Sequence, residues 1–144
     1  MRVYLACTVR GNRAALDTAR RLAQLIEALG HTVLTSHLLD DAVDQTESLI
    51  ADAAVFERDL EWLEQAEVLV AEASGSSYGV GFEVGYTLAR APASGQRVLV
   101  LYDEARRSSI SRMIAGNTSP YCRVLGYRTA DEVDDFLRRH LPPA

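Results

Sequence analysis

Lysine is absent from this chain; all 15 basic residues are arginine. Schiff-base chemistry at a lysine is therefore excluded, and a guanidinium is the only strong side-chain cation left to anchor an anion. Cysteine is scarce: Cys7 and Cys122 are too widely spaced for a disulfide framework or a metal-ligand pattern, which points to a reducing, cytoplasmic setting. The 20 acidic residues outnumber the basic ones, and a net charge of −5 denies the chain the basic face that a nucleic-acid polymer requires. No apolar run approaches membrane-spanning length, and the N-terminal MRVYLAC is too short for a signal peptide and reads as a strand. The three histidines are scattered: His31 and His140 read as structural or solvated, so neither a zinc set nor a Ser-His-Asp triad is supported. No metal or cofactor is expected.

What is present is an ordinary globular composition, 48% apolar and 24% charged over 144 residues. That length suits one domain over residues 1–144, burying about two-thirds of its unfolded surface. Strand-like apolar runs at about Val3–Cys7, Thr32–Ser36, Val68–Glu72, Val98–Tyr102 and Arg123–Leu125 alternate with helical patterns. The helices are expected at about Arg13–Leu29, Thr46–Gln65, Val80–Arg90, Ser109–Ile114 and Ala130–His140. Several strands are continuously apolar, as when helices cover both faces of a parallel sheet. The pattern predicts an α/β doubly wound, flavodoxin-like or Rossmann-like five-stranded parallel sheet in the order 2-1-3-4-5, with ligands at the carboxyl ends of strands 1 and 3. Pro92 to Gln96 reads as a surface loop and Leu141 to Ala144 as a tail.

The stretch ERDLEWLEQAEVLVAEASGSSYGVGFEVG, residues 57–85, holds the main chemical signal. Val55, Phe56, Leu60, Trp62, Leu63 and Ala66 recur at helical spacing, and Asp59 falls within their arc. Glu57, Arg58, Glu61, Glu64 and Gln65 fall on the far side. A carboxylate on an apolar stripe must be paired, protonated or lining a cavity. Glu83 is placed in the first turn of the next helix, where unpaired N–H groups and the helix dipole favour its ionised form. Two carboxyls with pKa values driven apart suit an acid and a nucleophile or base; a buried cap and an ordinary first-turn glutamate are the plain alternative.

The first strand-to-helix turn, Cys7 to Arg13, offers Thr8, Arg10, Gly11 and a helix start, a combination fit for a phosphate or for a merely capped helix. Its C-x5-R spacing resembles that of cysteine phosphatases, but Ala14 follows Arg13 where a hydroxyl is needed, and no Asp-Pro pair supplies the general acid. Gly79-x-Gly81-x-x-x-Gly85 with Asp103 further on comes near a dinucleotide fingerprint, yet it follows the wrong strand, its last spacing is one residue too long, and it carries Glu83 where a pyrophosphate should sit. Those glycines are better read as giving a small ligand close access to a helix starting at Val80. His37 follows the second strand and suits either a base pocket or a surface loop. Ser108, Ser109 and Ser111 read as a helix start, and Tyr4 can point into either helix layer.

The blocks YLACTVRGNR, DLEWLEQAEVLVAE and SSYGVGFEVG, in this order and spacing, resemble the 2′-deoxynucleoside 5′-phosphate N-hydrolases of the nucleoside 2-deoxyribosyltransferase-like superfamily, over nearly the whole chain. The resemblance implies hydrolysis of the N-glycosidic bond of a 2′-deoxynucleoside 5′-monophosphate to free nucleobase and 2-deoxyribose 5-phosphate. It implies Glu83 as the nucleophile at the anomeric carbon, Asp59 as the acid assisting base departure, and Tyr4 beside the nucleophile and the deoxyribose. Thr8, Arg10 and Ser77 align with phosphate-binding residues and His37 with a base-pocket histidine, while Gly11 and Gly79 border the same substrate site. Ser111 matches a serine that reaches the phosphate of a neighbouring subunit, which implies a homodimer. Cys7 stands where glycine is usual, Thr8 where serine is common, Ser76 for the usual proline and Phe82 for a tyrosine. Base exchange between nucleosides by the same glycosyl-enzyme, and a non-catalytic nucleotide-binding module, are the competing readings.

Overall fold

The computed structural model describes residues 1–144 apart from Gly11 and Ala14. Five parallel strands form one sheet in the order β2-β1-β3-β4-β5, as expected. They are β1 (Arg2–Ala6), β2 (Thr32–Val33), β3 (Val68–Glu72), β4 (Arg97–Asp103) and β5 (Cys122–Tyr127). Between them run α1 (Leu16–Ala28), α2 (Val43–Glu47), α3 (Asp52–Gln65), α4 (Tyr78–Ser94), α5 (Arg112–Ala115) and α6 (Ala130–His140). Short 3₁₀ segments occupy Ser36–Leu39 and Glu104–Ser109.

Because successive strand side chains point to opposite faces, the sheet buries two separate cores. Val3, Leu5, Val70 and Leu101 pack with Leu22 and Ile26 of α1 and Phe136 and Leu137 of α6. Tyr4, Ala6, Leu69 and Val100 pack with Leu63 of α3 and Val80 and Val84 of α4. Tyr4 thus faces the α3/α4 layer, the choice that alternation alone left open.

Several expected elements differ. β2 ends at Val33 because the buried Thr35 hydroxyl takes over its pairing, accepting from Leu5 N at 3.0 Å and donating to Leu5 O at 2.6 Å. The single helix expected over Thr46–Gln65 is two, broken where Ala51 turns extended at ψ 138°. Pro92 lies inside α4, which runs on to Ser94 and ends at Gly95 in the left-handed region (φ 74°). Gln96 is therefore no surface-loop residue: it is buried, and its side-chain amide donates to Leu63 O and Ala66 O at 2.7 and 2.8 Å, satisfying the end of α3. The helix expected at Ser109–Ile114 shrinks to α5, capped by Ser111. The C-terminal segment is docked, with Leu141 fully buried and Ala144 N bonded to Leu29 O.

Candidate active site

The carboxyl ends of β1 and β3 open onto a cleft of about 590 Å³, within the usual range for a small-molecule site. One wall is the start of α4 and the loop before it, with Ser77, Gly79 and Glu83. The opposite wall comes from α2 and α3, with Glu47, Val55, Phe56 and Asp59, and the β1–α1 turn closes one end with Arg10.

Glu83 lies in the second turn of α4, since that helix starts at Tyr78 and not at Val80. The helix-terminus field fades past the first turn, so burial dominates and pushes the Glu83 carboxyl up to about 7, against the hydrogen bond from Tyr4 and with the charge of Asp59 adding to the rise. The expectation of a glutamate favoured in its ionised form is corrected accordingly. The Tyr4 hydroxyl donates to Glu83 Oε1 at 2.6 Å. Burial first, and the Glu83 and Asp59 charges after it, hold that phenol far above its ordinary pKa, so it remains a donor.

Asp59 is half-buried, lines the cleft and is also paired. Its partner is Arg58, which was expected on the far side of α3 and instead folds back, with Nε 2.8 Å from Asp59 Oδ1, Nη2 2.5 Å from Glu47 Oε1 and the guanidinium over the Trp62 ring at 4.9 Å. A guanidinium stem long enough to reach over its own helix turn makes the helical-wheel position a poor guide. Burial raises the Asp59 pKa and Arg58 opposes the rise. Both carboxyls are thus raised, rather than driven in opposite directions.

Ser77 caps α4, its Oγ accepting from Gly79 N at 3.2 Å and Val80 N at 3.5 Å. The hydroxyl proton remains available to an anion at this helix start. Ser76 adopts φ 54° and donates to Ser109 O at 2.7 Å; a proline, locked near φ −65°, could not hold this conformation. Gly75 is required for another reason: a Cβ there would overlap the Thr8 hydroxyl and approach Asn12 O at 2.7 Å. Arg10 is exposed and paired with Asp44 at 2.9 Å.

Arg10, Asp59, Ser77, Gly79 and Glu83 therefore meet in one cleft, with Tyr4 behind Glu83. Three expected residues lie apart from its lining. The Thr8 hydroxyl is buried under the Gly75 loop without a hydrogen-bond partner among the described residues. His37 packs on Trp62 (ring centroids 5.3 Å apart) with Nε2 3.3 Å from Glu47 Oε1. Ser111 borders a neighbouring groove of about 480 Å³ on the other side of Ser76–Tyr78. Gly11 lies outside the described residues. The phosphatase geometry is not formed: Arg13 donates to the carbonyls of Asp40 and Leu38, and burial holds the Cys7 thiol protonated at about 11.

Two participants escaped the sequence reading. Glu47 lay inside an expected continuous helix and carried no signal. Glu72 did carry one, as an acid inside the apolar run VLVAEA. It is buried, accepts from Ser74 N and Oγ and from Tyr127 OH at 3.1, 2.6 and 2.9 Å, and so fixes the start of the Ser74–Ser77 loop.

The model of the family described as nucleoside 2-deoxyribosyltransferase matches residues 3–133. The chain belongs to the nucleoside 2-deoxyribosyltransferase family. Within it, this deoxyribosyltransferase-family chain is 44% identical over 142 residues to a Thermofilum pendens protein bearing the provisional name 2′-deoxynucleoside 5′-phosphate N-hydrolase 1, covering 99% of this chain and 96% of the relative. A Danio rerio 5-hydroxymethyl-dUMP N-hydrolase is 32% identical, with 97% and 95% covered. Among solved structures, the Clostridium botulinum CMP N-glycosidase BcmB superposes with a TM-score of 0.71 at 17% identity, over 98% of this chain and all of that one. The 2-deoxyribosyltransferase of Bacillus psychrosaccharolyticus gives 0.64 at 18%, over 99% and 97%. At such identities these two structures establish the fold of the family member, a nucleoside deoxyribosyltransferase-like sheet.

Proposed function

We propose that the protein hydrolyses the N-glycosidic bond of 2′-deoxynucleoside 5′-monophosphates, releasing the base and 2-deoxyribose 5-phosphate. Membership of the glycosidase class follows from the relatives; the deoxynucleotide substrate and the residue roles are the proposal. The observation that carries it is Glu83, half-buried in the cleft with one oxygen held by Tyr4, in a lining it shares with Asp59. Ionised Glu83 attacks C1′ as the base leaves through an oxocarbenium-like transition state, forming a glycosyl-enzyme that water resolves. Tyr4 orients the carboxylate and lowers its pKa by hydrogen bonding to it. Asp59, raised by burial, supplies or relays the proton that the departing base requires. Arg10, the Ser77 hydroxyl and the start of α4 hold the 5′-phosphate. A second copy completes the site through Ser111; the exposed Tyr78 and Met113 beside its groove suit burial against that copy.

Deoxynucleoside and ribonucleoside monophosphates incubated with the protein and monitored for free base test the reading. Base release that Glu83→Gln abolishes without unfolding is the expected result; release retained by that variant sinks the nucleophile assignment. One observation favours base exchange on unphosphorylated nucleosides: among the described residues lining the cleft, Arg10 is the sole cation, and it is paired with Asp44. Formation of a new nucleoside from an added second base would favour that alternative.

A further inference from the structure

The wall opposite Glu83 decides which base can leave, and its chemistry is specific. Leu38, Val55 and Phe56 offer apolar contact, but the polar groups between them are carboxylates: Glu47, Asp59 and, at the more exposed mouth, Asp52. Arg58 does not line the cleft. It stands behind Glu47 and Asp59 and holds one oxygen of each, Glu47 Oε1 at 2.5 Å and Asp59 Oδ1 at 2.8 Å. His37 adds a second partner to the same Glu47 Oε1. Glu47 Oε2 has no protein partner among the described residues, although the side chain is only 12% exposed. A partly buried carboxylate with one oxygen free of protein partners and open to the cleft is a strong acceptor, and a ligand that covers that oxygen without placing an N–H on it leaves it unsatisfied at a cost.

Resting on the hydrolase reading above, we infer that Glu47 selects nucleobases carrying an exocyclic amino group and rejects uracil and thymine. Cytosine, adenine and guanine bring an exocyclic amino donor to that oxygen; where cytosine presents its 4-amino group, uracil and thymine present the O4 carbonyl and oppose oxygen to oxygen, their ring N–H lying one atom further along the edge. Arg58 fixes the rotamer of Glu47 and neutralises part of the wall's charge, so the free oxygen is held in place for the base. Asp59, on the same guanidinium, stays available to the departing ring. The preference differs from the uracil-derived substrate in the name of the Danio rerio relative.

The test compares kcat/KM for dCMP, dAMP and dGMP with that for dUMP and dTMP, in the wild type and in Glu47→Gln. The wild type is expected to favour the amino-bearing bases by about 10- to 100-fold. In E47Q, whose amide can itself donate to a carbonyl, the ratio is expected to collapse toward unity, with dUMP gaining as dCMP loses. A wild-type preference for dUMP or dTMP overturns the inference. So does an E47Q variant that loses activity on every substrate by the same factor, the mark of a purely structural clamp. Inhibition of the wild type by free bases needs no variant: cytosine is expected to inhibit at concentrations at least about tenfold lower than uracil, and equal inhibition overturns the selection. Absence of base release from every nucleotide would defeat the hydrolase reading, and binding of free cytosine against uracil would still decide the role of Glu47.

Discussion

In the proposed mechanism two requirements oppose each other at Glu83, since the attacking form would be the ionised one while burial favours the protonated one. The pH dependence follows from the sign of that shift. With its pKa near 7 in the folded protein, Glu83 must lose its proton before attack, so kcat/KM is expected to fall about tenfold per pH unit below that value. The second ionisation of the substrate phosphate, near about 6, titrates in the same region, so Tyr4→Phe separates the two. Removing the bond that lowers the Glu83 pKa should move the acid limb upward, and a limb that stays put belongs to the substrate. Stability carries the opposite sign. A carboxyl raised from its ordinary 4.5 to about 7 binds its proton more tightly when folded, so stability declines as pH rises through that window. Glu83→Gln is therefore expected to be more stable than the wild type at pH 8, by on the order of 3 kcal/mol, with the gap closing near pH 4 in denaturant titrations. At Arg10, alanine should cost about 10- to 100-fold in kcat/KM for the nucleotide and little for the corresponding nucleoside, because one charge-assisted bond is at stake. An equal loss on both would move the phosphate elsewhere.

Among the elements, the loop from Ser74 to Ser77 and the helix it starts form the working part. Glu72 ties the loop to β5 and Ser74 Oγ ties it to β4 by accepting from Asp103 N, Ser76 takes φ 54° to turn it, and Ser77 ends it as the cap of α4. Cap and ligand roles of Ser77 separate by substitution: Ser77→Ala should destabilise by about 0.5–2 kcal/mol and Ser77→Gly by only a few tenths. Both should raise KM for the nucleotide, since both remove the hydroxyl donor. A glycine variant with unchanged KM would leave Ser77 as a cap alone. α3 contributes differently, because only Leu63 among its residues is fully withdrawn into the core and Phe56 is half exposed. Its apolar stripe therefore serves the cleft as much as the sheet, which explains how Asp59 can sit within it.

For the whole molecule, the doubly wound order places the carboxyl ends of β1 and β3 together where the strand order reverses, so that residues 79 positions apart, Tyr4 and Glu83, meet at 2.6 Å. Among the described residues no helix is long and apolar enough to cross a membrane. The exposed Tyr78 and Met113 lining the groove at Ser111 lead to the expectation of a dimer in sedimentation equilibrium. Ser111→Ala should then impair nucleotide turnover without dissociating the dimer, and a fully active monomer would remove Ser111 from the site. The strand runs, the 2-1-3-4-5 order and several of the polar residues lining the cleft were legible in the sequence, because strands covered on both faces read as continuous apolar runs that alternate with helical periodicity. The α3 break at Ala51 and the shortening of β2 were not, since each follows from a particular hydrogen bond or backbone turn rather than from periodicity. The amino-acid sequence by itself determined a lysine-free, acidic α/β chain with two carboxylates and an arginine turn available for chemistry. Only the tertiary structure decided that Glu83 is held against Tyr4, that Arg58 turns back onto Asp59 and Glu47, and that Thr8, His37 and Ser111 stand apart from the cleft lining. Burial, desolvation and the reach of a long side chain depend on what lies opposite in space, and neither residue spacing nor composition encodes that directly.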